Sequence, residues 1–176
     1  MEAHEGLKLT LAIIILISRL ADIGSTYLAS PNLELESNGV IRRFRWPFAI
    51  LTLFVFIIPY WDIGSGIVIL VASLLVATSN SSKIWLIRAM GETEYYALMV
   101  RMAARAKPVP SLIYSLMPAL FMTILAETVM YLYPSENSDL GYSVGLGILG
   151  YALVIAFYGP TTFLRYRKAG LSSQTV

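Results

Sequence analysis

Residues 142–164 read YSVGLGILGYALVIAFYGPTTFL, a run without one charged side chain. Wound as an α-helix at about 1.5 Å per residue, it is about 34 Å long and crosses a hydrocarbon core of about 30 Å. Residues 111–133 repeat the pattern, interrupted by Pro118 and Glu127. A soluble globule hides its apolar residues in shorter segments with a polar face, so these windows belong in lipid. No water is present there to satisfy peptide groups, and no ten-residue alternation suggests a barrel. The windows are therefore expected to be α-helices.

Working outward, the whole chain has the same character. Of its 176 residues 57% are hydrophobic and 14% charged, where a soluble domain carries roughly a quarter charged. The expected fold is all-α: a polytopic transmembrane helical bundle forming a single membrane domain over residues 1–176. Three further runs precede the two already quoted. The first, residues 9–28, contains Arg19 and Asp22; Ala29 and Ser30 would suit a signal-peptide cleavage site, but Glu2, Glu5 and Arg19 speak against one. The second, residues 46–61, is bounded by Trp46-Pro47 and Tyr60-Trp61. At about 16 residues it is short for a span, which leaves a reentrant segment open. The third, residues 65–82, follows the turn residues of Asp62–Gly66. Between the third and fourth runs, residues 91–107 place Glu94, Arg101 and Arg105 at helical spacing, with Tyr95, Met99, Met102 and Ala106 on another face; an interfacial amphipathic helix is expected there. Residues 134–139 read as a short acidic turn. Gly141, Gly145, Gly147 and Gly150, including one GxxxG, would let a neighbouring helix approach the last span closely.

With five spans, Arg42, Arg43, Arg45, Lys83, Arg88, Arg101, Arg105, Lys107, Arg165, Arg167 and Lys168 share one side, and Lys8 lies opposite. Four spans would weaken that bias. The positive-inside rule then predicts five spans in a plasma (inner) membrane, the amino terminus outside and the carboxyl terminus cytoplasmic.

Ionisable groups inside hydrocarbon are costly unless paired, which singles out Arg19, Asp22 and Glu127. Arg19 and Asp22 share a helical face and, with Ser18, Ser25 and Thr26, make a polar stripe. It reads either as a site for an ion or polar head group or as a structural ion pair that fixes helix packing. Glu127 lies toward the outer end of its span, so no dyad with Asp22 is expected; it is a proton or cation site, or it bonds a neighbouring helix. In the connector, Glu36 and Asn38 offer hard oxygen ligands, while Arg42, Arg43 and Arg45 suit lipid phosphate. The plainer alternative pairs Glu34 and Glu36 with those arginines.

Asp22-Ile23-Gly24-Ser25-Thr26 followed by Glu36-Ser37-Asn38 resembles the pattern of an uncharacterised group of small bacterial multispanning membrane proteins. Their pattern has Asp-x-x-(Ser/Thr)-Thr in a first helix and Glu-x-Asn-Pro soon afterwards. The match covers residues 20–46 and departs at Gly39, where proline is the pattern. The resemblance implies a polar site of Asp22, Thr26, Glu36 and Asn38 at the cytoplasmic membrane surface, and no known activity.

The chain lacks an HExxH helix, an intramembrane histidine and a phosphate loop, and cysteine is absent, so metalloprotease, haem, phosphate-loop and thiolate chemistries have no footing. No cofactor or metal is expected, and an enzyme is not favoured. The first expectation is a non-enzymatic subunit or scaffold acting by helix association. The alternatives are a small transporter or channel with a polar site on the first helix, and a lipid-binding or lipid-modifying protein at the cytoplasmic face. Expected partners are membrane lipids and either further copies in a homo-oligomer or another membrane protein; nucleic acid is not among them.

Overall fold

A computed structural model describes residues 2–136 and 138–172; Asn137 of the acidic turn lies outside the described residues. Six α-helices follow in order, α1 Glu2–Ala29, α2 Gly39–Leu51, α3 Ile63–Met90, α4 Glu92–Arg105, α5 Pro108–Leu132 and α6 Asp139–Ser172, with a 3₁₀ segment Thr52–Tyr60 between α2 and α3. Among the described residues there are no strands. By length and composition α3, α5 and α6 are each able to cross a membrane.

Local chemistry sets the boundaries. The Asn38 side chain accepts the Val40 N–H at 2.9 Å and so caps α2. Asp62 accepts the Ser65 N–H at 2.7 Å and caps α3. Gly91, at φ +88°, separates α3 from α4, a left-handed turn that glycine makes without steric cost. Pro108 opens α5, where its missing N–H is no loss.

The packing register is readable from a few contacts. Along α1 and α3, Leu11 lies beside Gly66, Arg19 beside Ser73 and Thr26 beside Asn80, so the two helices run parallel with a nearly constant offset. The chain between them must therefore return along the bundle. Trp46 starts that return beside Tyr27, ring centroids 5.3 Å apart, Thr52 meets Arg19, and Pro59 packs on Gly66. The second run is thus not one α-helix. α2 begins seven residues earlier than expected and is broken at Arg45 (φ 58°), just before Trp46-Pro47. The 3₁₀ segment then rises about 2.0 Å per residue. With the α-helical turns before it, the path from Trp46 to Tyr60 reaches about 27 Å, close to the length of α1 it runs beside.

α5 and α6 form an antiparallel hairpin in which Tyr133, Met130 and Ser115 face Gly141, Gly145 and Gly159. α6 also lies on α3, where Gly147 faces Val71. A methyl group at Gly145 would stand 2.4 Å from Met130 Cγ, which is why the helices need glycine there. The glycines read as a docking stripe are therefore largely used inside the chain, with Gly150 left open. The helix expected at 91–107 is α4; it packs on the end of α6, with Gly170 against Ala104 and the rings of Tyr96 and Tyr166 5.4 Å apart. Arg165, Arg167 and Lys168 are part of α6, not of a tail beyond it. The apolar centre is Leu11, Ile15 and Ile67, with Val55, Phe56, Leu70 and Val144 around it.

Two ends result. The connector 30–38, the start of α2, the α3–α4 corner and the end of α6 meet at one, the basic end, which holds the basic residues other than Lys8 and Arg19. Trp61, Asp62, Tyr133 and Asp139 mark the other.

Candidate functional site

The polar stripe of α1 faces its neighbours. Arg19 Nη1 donates to Asp22 Oδ2 at 2.5 Å and to Ser73 Oγ of α3 at 3.4 Å, and Nη2 donates to Thr52 Oγ1 at 2.6 Å. One guanidinium thus ties α1 to the 3₁₀ segment and to α3, while its Nε is buried without a partner among the described residues. Ser18 and Ser25 are buried, and each hydroxyl bonds back to its own helix, to the carbonyls of Ile15 and Asp22. Thr26 accepts from Asn80 Nδ2 at 3.0 Å. The geometry is that of a largely buried pair holding three elements together.

A second polar cluster closes the basic end. The connector turns at Leu33, a buried residue with φ 61°, so that three of its groups converge on Glu92 at the start of α4. The Glu92 carboxylate accepts the Ser30 hydroxyl, the Asn32 N–H at 3.0 Å and the Glu34 N–H at 2.9 Å. Further along, Glu36 Oε1 accepts the Asn38 N–H at 2.6 Å. Thr162 of α6 donates to Ser37 Oγ at 2.9 Å, and Arg165 Nη1 donates to the Glu36 carbonyl at 2.7 Å. Arg165 also stacks over Tyr166, 4.9 Å from the ring centroid. Burial pushes the Glu36 carboxyl above the usual carboxylate range, against the opposing pull of the Asn38 and Ser37 N–H groups and of the Arg165 and Arg42 charges.

Of the residues singled out from sequence, Glu36 and Asn38 are in direct contact, and Glu36 is near enough to Asp22 for the two carboxylates to repel. Thr26 turns instead to Asn80. Arg42, Arg43 and Arg45 are exposed. Neither Glu34 nor Glu36 forms an ion pair with them; among the described residues the ion pairs are Arg19–Asp22 and Lys8–Glu5. Arg43 lines a groove of about 520 Å³ between the start of α2 and α6, with Ser37, Asn38, Val40, Phe44, Phe157, Tyr158 and Thr161. Glu127 stands apart. It is exposed on α5, in a shallow groove of about 450 Å³ with Tyr131, Tyr142 and Leu146, near the height of Gly145 and away from Asp22.

Residues missing from the sequence-based candidates are Thr52, Ser73, Asn80, Glu92, Thr162 and Arg165. Arg165 carries a signal in the sequence, as the first charge after an uncharged span, though position alone speaks only to orientation. Comparison with protein-family models, with curated proteins and with solved structures yields no match for this chain.

Proposed function

We propose that the protein is a five-span protein of the plasma (inner) membrane, amino terminus outside, that holds a phospholipid by its head group at the cytoplasmic face. The observation that carries this reading is the groove between α2 and α6. Val40, Phe44 and Phe157 give it apolar walls suited to acyl chains, and Ser37, Asn38 and Arg43 give it a polar end suited to phosphate. Parallel α1 and α3 need a full return run between them, which favours five crossings over a reentrant second segment. All basic groups of α2, of α4 and of the end of α6 then face the anionic inner leaflet. Because Arg19 is engaged by three elements, its pairing with Asp22 is taken as structural and not as part of an ion path. Native mass spectrometry of the detergent-purified chain is expected to show a retained phospholipid. The variant Val40→Trp, which fills the groove, is expected to release it; equal retention by both proteins would refute the reading.

Helix association is a second reading, favoured by Glu127. This carboxylate is exposed on α5, which packs chiefly against α6, and a charge that faces hydrocarbon is costly without a partner. Glu127→Gln should shift the oligomeric state measured by light scattering in detergent if a partner helix bonds it there, and leave it unchanged otherwise.

A further inference from the structure

Arg165 has more donors than the chain uses. Its Nη1 is bound to the Glu36 carbonyl and its guanidinium lies near the Tyr166 hydroxyl, whereas Nε and Nη2 are both buried and neither makes a well-formed hydrogen bond among the described residues. Those two atoms form the side-on edge of a guanidinium, where two parallel N–H groups match two oxygens of a carboxylate or phosphate. Glu36 does not fill that edge: it makes no ion pair with Arg165, and its Oε1 is taken by the Asn38 N–H. The bond to the Glu36 carbonyl and the stacking on Tyr166 orient the guanidinium, and because the edge is closed to solvent, the side chains over it must give way to admit a ligand. Thr162, one turn away, is bonded to Ser37, and Ser37 lines the groove between α2 and α6.

We propose that the Nε–Nη2 edge of Arg165 is the seat of a phosphate group, in two-point contact with two of its oxygens. This deepens the lipid-binding reading and rests on it. Arg165 follows an uncharged run of about 34 Å, which puts it at head-group depth, where the abundant oxyanion is lipid phosphate. It also separates the roles of the arginines. Arg42, Arg43 and Arg45 are exposed and attract anionic lipid in general, whereas Arg165 is half-buried, with its Nε and Nη2 turned inward, and fixes one phosphate.

The test uses the full chain in a phosphate-free maltoside detergent, as wild type, Arg165→Lys and Val40→Trp, with phosphatidylglycerol or inorganic phosphate as probe. Lysine keeps the charge and a donor for the Glu36 carbonyl but lacks the two-pronged edge. Arg165→Lys is expected to retain phosphatidylglycerol about tenfold less well than wild type, the loss of a charge-assisted contact. Loss of the lipid with no binding of inorganic phosphate by wild type identifies the lipid head group as the source; binding of inorganic phosphate that Arg165→Lys abolishes identifies free phosphate. Unchanged retention by Arg165→Lys together with loss in Val40→Trp overturns the seat and leaves the groove standing, and unchanged retention by both overturns the two together. A measurement on wild type covers poor folding of the variant. With ¹⁵N-labelled arginine, phosphatidylglycerol should move one Nε–Hε resonance downfield, and a spectrum that does not move overturns the proposal.

Discussion

Arg19 and Arg165 are both drawn in among the helices, yet they are held in opposite ways. Arg19 has a carboxylate and two hydroxyls from three elements, leaving one nitrogen over. Arg165 has one well-formed bond, to a carbonyl, and the ring and nearby hydroxyl of Tyr166, leaving two nitrogens on one edge without a well-formed hydrogen bond. A guanidinium that the fold satisfies acts as a rivet, and one that the fold positions but does not satisfy is ready for something else. Burial by itself does not separate the two cases; the count of answered donors does.

The largest effect expected from breaking this contrast falls on the Arg19 side. Asp22→Ala strands a buried charge and should cost about 3–5 kcal/mol, read as loss of monodisperse protein and a large drop in melting temperature in detergent. The double variant Arg19→Met with Asp22→Leu should recover most of that loss, because removing both charges also removes the desolvation penalty. If Asp22 were instead a ligand site, the single variant would melt like wild type. Next comes Glu92→Ala, which leaves three donors of the connector without their acceptor. About 2 kcal/mol of local stability should be lost, seen as faster amide exchange of Asn32 and Glu34 while the cores of α3 and α6 stay protected. Gly145→Val should cost about 1–3 kcal/mol through the clash with Met130 and Ala126, whereas Gly150→Val, with open space beside it, should cost far less; equal melting temperatures would show that the hairpin yields more easily than its spacing implies.

The smallest effect concerns Glu36. Its carboxyl is raised by burial, so the proton is held more tightly in the folded state than in the unfolded chain. The stability this contributes is fully present below the unfolded carboxyl range and is lost as pH rises through the folded value. Between pH 7 and pH 4 the melting temperature of wild type should therefore rise relative to Glu36→Gln, and parallel curves for the two proteins would contradict the shift. The readout belongs to the basic-end cluster.

How much of this was legible beforehand depends on how local the cause is. Five apolar runs and the interfacial helix stand out because composition and 3.6-residue spacing act within one helix, and α3, α5 and α6 match runs found that way. The Arg19–Asp22 pair was visible for the same reason, its members three residues apart. The break at Arg45 and the 3₁₀ path after it were not, since local propensity gives little warning of a run stretched to fit its neighbour. The spacing of the α6 glycines marks a place of close approach, but spacing does not tell that α5 and α3 of the same chain fill it. Glu92 and Arg165 escaped for a plainer reason. Their partners lie 58 to 62 and 129 positions away along the chain, and only the folded connector brings them together.

The 3₁₀ segment has a mechanical consequence. Nine residues wound that way are about 4–5 Å longer than the same nine in an α-helix. Were Thr52–Tyr60 to tighten into regular α-turns, either Trp46 would be pulled off Tyr27 or Pro59 off Gly66. The strut is cut to one length and pinned at both ends, so the distance between the two faces of this half of the protein is set by how a single segment is coiled.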